Sequence, residues 1–152
     1  PKSKENNMTQ YIQNIGYLAV VKFNLDEAKK ALVLLPKGAE VISLNLEIIE
    51  PLNATTTIDI GLDKAEDYFL NDIKADKKGF NQSSVLLHSN TNQSINATIT
   101  NPAKVNKEVE PEPKENTEAK GKSKEVKPTE PKLGLAILRV HYFMPSQIQI
   151  EI

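Results

Sequence analysis

The side chains best suited to acid–base or metal chemistry in this 152-residue sequence are two histidines, His88 and His141, and a scatter of carboxylates. The histidines are far apart. One sits in a Ser/Asn/Thr-rich run, and the other alternates with Arg139 along an apolar stretch, so neither belongs to a metal-binding spacing. Glycoside hydrolysis needs two carboxylates converging across a cleft. Glu47, Glu50, Asp59, Asp63, Glu66 and Asp67 offer candidates, but their spacing singles out no pair. Asp59 with Asp63–Asp67 loosely resembles a calcium loop, yet it lacks the glycine and the D-x-D-x-D spacing of an EF-hand. Phosphate-cradling and nucleophile-elbow motifs are missing. With no cysteine, thiol nucleophiles, zinc-thiolate sites and disulfides are excluded together. The sequence therefore predicts no catalytic, metal-binding or cofactor-binding residue, and a protein that is not an enzyme.

The elements that would position these side chains are strands. Period-two alternation dominates. Ile42, Leu44, Leu46 and Ile48 alternate with Ser43, Asn45 and Glu47, predicting a half-buried strand with those four on the inner face. The same rhythm recurs at Ile95, Ala97 and Ile99, at Ile58 and Ile60, and at Ile148, Ile150 and Ile152. Gly16–Phe23 and Leu133–Met144 are apolar on both faces, which suits a central strand or one covered by a partner. Ala31–Leu35 has helical propensity, but the Pro36-Lys37-Gly38 turn before a strand favours a hairpin. One short helix is expected around Lys64–Asn71, with Asp63 capping it and Ala65, Tyr68 and Phe69 or Leu70 facing inward. The expected fold is all-β, a jelly-roll-like antiparallel sandwich with one short helix.

Asn101–Lys132 breaks the pattern. It holds eight Lys, seven Glu and five Pro, with no Leu, Ile, Phe, Tyr or Met. Such a segment buries too little apolar area to offset the entropy of ordering it. The expected organisation is an N-terminal arm, residues 1–15, and one sandwich domain, 16–152, interrupted by a polar insertion at 101–132. The insertion is read as an arm that lies along a neighbouring subunit, in preference to a bare spacer. Tyr11, Ile12 and Ile15 are the candidate apolar anchors of the N-terminal arm. Ile137, Arg139, His141 and Phe143, on the second face of Leu133–Met144, are the other candidate contact residues.

Net charge is −1, and all but one of the 19 basic residues are lysine, a poor kit for bidentate phosphate or base recognition. Nucleic acid is not an expected partner. No apolar run is long enough to span a membrane, and the polar N-terminus lacks the apolar core of a secretory signal.

From Leu34 to Leu62 the sequence reads LLPKGAEVISLNLEIIEPLNATTTIDIGL, followed by Tyr68–Asp72. An LP-x-GA turn leading into a long alternating strand, then a T-x-x-I-G strand, then an acidic segment with aromatics, resembles the capsid decoration (cement) proteins of tailed bacteriophages. The Asn/Lys-rich, Arg-poor composition looks like that of a low-GC host, and the whole is similar to the cement proteins of Helicobacter phages. The resemblance implies a jelly-roll subunit that forms homotrimers on the outer surface of an icosahedral head. It would bind across the capsomers of the major capsid protein after synthesis in the host cytoplasm. A carbohydrate-binding or receptor-recognition module, or a tail or baseplate component, is the alternative; the lack of Trp weakens the sugar-binding form.

Overall fold

The computed structural model describes residues 9–104, 132–145 and 148–151. Its strands are β1 (Thr9–Ile12), β2 (Ile15–Asn24), β3 (Lys29–Leu35), β4 (Glu40–Glu50), β5 (Thr57–Leu62), β6 (Ala65–Lys74), β7 (Gly79–Ser83), β8 (Leu87–His88), β9 (Gln93–Thr100), β10 (Leu135–Met144) and β11 (Ile148–Glu151). All pairings are antiparallel. One sheet runs β2-β10-β4-β7, with β8 also on β4; the other runs β3-β9-β5-β6; β1 and β11 form a separate ribbon. Most of the insertion read at 101–132, residue 152 and residues 1–8 lie outside the described residues.

Alternation explains the core. Leu44, Leu46 and Ile48 of β4 meet Val140, Leu138 and Ala136 of β10 on one inner face. Val33 and Leu35, Ile58 and Ile60, and Ile95, Ala97 and Ile99 supply the facing layer. All are buried. Burying a side chain of this size contributes about 1.5–3 kcal/mol, so the facing stripes hold the two sheets together. The strand read over Ala31–Leu35 is β3, and the two-faced stretch before Met144 is the central strand β10.

Three expectations are corrected. The first is the helix over Lys64–Asn71: among the described residues there is no helix, and this segment is β6. Leu62 pairs with Ala65, so Asp63 and Lys64 form the tip of a tight hairpin. Asp63 does not cap a helix. Its carboxylate accepts from Asn96 Nδ2 at 2.6 Å, and Asn96 Oδ1 accepts from Ser94 Oγ at 2.7 Å. Asn96 is nearly buried, so this network pins the hairpin tip to β9. Gly61 permits the close approach, because a Cβ there would lie 2.2 Å from the Ala65 carbonyl oxygen. Long-range pairing with β5 and anchoring to β9 override local helix propensity.

The second is Ile42. It is 45% exposed, while Val41 is buried in its place. The ladder between β10 and β4 shifts register between His141 and Tyr142, which pair with Ser43 and Val41. The extra residue reverses the side-chain alternation, so Ile42 does not join Leu44 on the inner face.

The third is the hairpin expected at Pro36-Lys37-Gly38: the turn forms, but β3 and β4 belong to different sheets, so it carries the chain from one layer to the other, because β3 pairs with β9 and β4 with β10. Ala39 N–H donates to Pro36 O, and Gly38, with φ of +93°, donates to Ser89 O. A Cβ at Gly38 would lie 2.6 Å from Pro145 Cγ, so Pro145 and the turn close one end of the sandwich together. At the opposite end Leu25 binds both flanks of the insertion: Ala103 N–H donates to Leu25 O, and Leu25 N–H donates to Leu133 O.

Candidate interaction surface

The outer face of the β2-β10-β4-β7 sheet gathers four of the seven candidate contact residues. Ile137, Arg139, His141 and Phe143 alternate along β10 opposite its buried residues, and all four are half-buried. The ladder places Lys22, Val20, Leu18 and Gly16 of β2 beside them on one side. On the other side it places Glu47, Asn45 and Ser43 of β4 beside Ile137, Arg139 and His141. Phe80 and Gln82 of β7 continue the row beyond Glu47 and Asn45.

The centre of this face is polar and cross-linked. Arg139 Nη1 donates to Glu47 Oε1 at 2.7 Å. Asn45 Nδ2 donates to Gln82 Oε1 at 3.1 Å, and Gln82 Nε2 donates to Ser43 Oγ at 3.0 Å. Asn45 Oδ1 is buried with no hydrogen-bond partner among the described residues. A shallow depression lined by Leu18, Ser43, Asn45, Arg139 and His141 lies at the same place. Around it stand exposed apolar side chains: Leu18 at 61%, Val20 at 54%, Phe80 at 70%, and Ile42. His141 and Phe143 have ring centroids 5.1 Å apart. Phe143 also covers Gly16, whose Cβ would meet the ring at 3.1 Å.

The other three candidates lie elsewhere. Ile15 is the first residue of β2 and is exposed, while Tyr11 and Ile12 lie in the β1–β11 ribbon. Tyr11 is 69% exposed. Sequence reasoning missed Leu18, Val20, Ile42 and Phe80 as surface residues. For Leu18 and Val20 a signal existed in the two-sided apolar character of Gly16–Phe23. For Phe80, the position preceding an amide-rich run gave none. Leu34, at 80% exposure, stands on the opposite sheet.

The residues weighed for chemistry stay dispersed. His88 Nδ1 donates to Glu40 Oε1 at 2.5 Å where β8 pairs with β4. Asp59 Oδ1 accepts from Asp72 N–H at 2.7 Å, fixing the irregular β5–β6 pairing. Among the described residues no group of three or more His, Asp or Glu side chains converges.

No protein-family model matches this sequence, and no curated protein matches it. Solved structures do. The chain is similar to one in the acid-stable capsid structure of Helicobacter pylori bacteriophage KHP30, at 25% identity and a TM-score of 0.65, over 95% of this chain and all of that one. It shares the fold of a chain in the capsid asymmetric unit of cyanophage Pam1, at 15% identity and a TM-score of 0.50, over 95% of this chain and 91% of that one. The likeness to phage capsid proteins carried by Leu34–Leu62 therefore extends along nearly the whole chain.

Proposed function

We propose that this protein is a structural component of a phage virion, a cement subunit that decorates the outside of the head and stabilises it by bridging capsomers of the major capsid protein. The observation that carries this reading is the end-to-end similarity to a phage capsid chain. The strand orders β2-β10-β4-β7 and β3-β9-β5-β6 support reading the sandwich as a jelly roll, whose first to eighth strands would be β2 to β7, β9 and β10. The proposed role needs no catalysis. It works through buried area, and a stable contact takes about 1,000 Å² or more. The outer face of the β2-β10-β4-β7 sheet suits such a contact, with apolar Leu18, Val20, Ile42 and Phe80 around a cross-linked polar centre. Many equivalent sites on one particle make detachment slow even when each contact is weak. Homotrimerisation would raise that avidity further.

Co-sedimentation with heads assembled without the protein tests this reading. Saturable pelleting with the heads is expected. Failure to pellet at micromolar concentration, with the protein folded, would overturn it.

A further inference from the structure

Among the described residues the sandwich has free edges at β2, β3, β6 and β7, and three of them are guarded. β3 carries Lys29 and Lys30 and an irregular register. β6 carries Glu66, Asp67, Asp72 and Lys74, and its pairing is broken twice. β7 is five residues long, and β8 beside it on β4 has two. These are the devices by which sheets avoid unwanted pairing. β2 has none of them. It is ten residues long, Lys22 is its one charge, and Ile15, Tyr17, Leu18 and Val20 are exposed along it. Among the described residues no strand lies on its outer side.

The β1–β11 ribbon is the complementary feature. The β2–β10 ladder ends at Ile15 opposite Met144, and the ribbon resumes at Ile12 opposite Ile148. The residue pairing of the ribbon follows on from that of the ladder with a one-residue slip. A two-stranded ribbon is marginally stable in water and gains from a third strand. Among the described residues β1 pairs with β11 and not with the β2 edge of its own chain. In sequence β1 has no charge and β11 has Glu151 alone, opposite in sign to Lys22. A four-residue strand spans about 13 Å, enough to cover the exposed stretch from Tyr17 to Val20.

We propose that the β1–β11 ribbon of one copy adds as strands to the free β2 edge of a second copy of this chain. The contact joins two different patches, so it satisfies every copy only when it closes into a ring. This inference rests on the proposed self-association, and its test uses no phage heads, so its failure is separate from failure of head binding.

The chain contains no cysteine, which makes cross-linking unambiguous. Tyr11→Cys is combined in turn with Tyr17→Cys and with Leu18→Cys, one for each face of the sheet, and the full-length protein is mildly oxidised. One pair should give covalent dimers and closed rings on a non-reducing gel, while each single variant stays monomeric. No cross-link from either pair would overturn the proposal. So would dimers from Leu18→Cys alone, which would mean that two β2 edges pair with each other. The guarded variant Leu18→Lys/Val20→Lys changes only exposed side chains, and should weaken self-association at least tenfold by sedimentation with an unchanged circular dichroism spectrum. Wild-type sedimentation by that variant, or a monomeric wild type, would also overturn it.

Discussion

Arg139 on β10 reaches diagonally to Glu47 on β4, donating at 2.7 Å, although the ladder sets Asn45 opposite Arg139 and Ile137 opposite Glu47. The diagonal ties neighbouring strands across the outer face and leaves the guanidinium partly exposed. Ion pairs of this exposure are worth about 0.2–1 kcal/mol. Arg139→Ala should therefore lower unfolding stability by less than about 1 kcal/mol in a urea titration, while head binding falls by a larger factor. A large stability loss, with binding changed only in proportion, would remove Arg139 from the contact surface.

Gly61 is the position least able to accept a side chain. A Cβ there would lie 2.2 Å and 2.3 Å from the carbonyl oxygens of Ala65 and Glu66, which are backbone atoms that cannot swing aside. Gly61→Ala should cost on the order of 3 kcal/mol, in the range seen for severe overpacking. Thermal unfolding should show a lowered midpoint, and a loss under about 0.5 kcal/mol would mean the β5–β6 hairpin is built differently.

Leu138 and Leu34 separate the roles of apolar residues. Leu138 is fully buried and Leu34 is 80% exposed. Leu138→Ala should cost about 2–5 kcal/mol through lost transfer energy and a cavity, whereas Leu34→Ala should stay within about 0.5 kcal/mol of wild type. Equal effects from the two would contradict the assigned core.

Leu25 holds the two flanks of the polar insertion side by side, through Ala103 and Leu133. Replacing residues 105–131 with a Gly/Ser linker of about six residues should leave the sandwich folded. The shorter loop should raise stability by about 1 kcal/mol from loop-closure entropy. Loss of the folded state would mean that the insertion contributes to the core.

Most strands were legible in the sequence because their cores follow a period of two. Leu44, Leu46 and Ile48 face inward as alternation requires. The failures share one cause, which is pairing between distant segments. Ile42 leaves the inner face because β10 meets β4 with a bulge, and nothing local to Ile42 encodes that slip. Lys64–Asn71 has helical residues, but Gly61 and Asn96, both outside it, fold it back onto β5. The candidate surface was half legible. β10 displayed its second apolar face in sequence, while Phe80 entered the same surface only through the pairing of β7 with β4.

Cryo-electron microscopy of heads assembled with and without the protein tests the central claim most directly. The difference density should be a β-sandwich on the outer surface, astride the junctions between capsomers, with the outer face of the β2-β10-β4-β7 sheet in contact. Density inside the shell or on the tail, or no difference between the two particles, would contradict it.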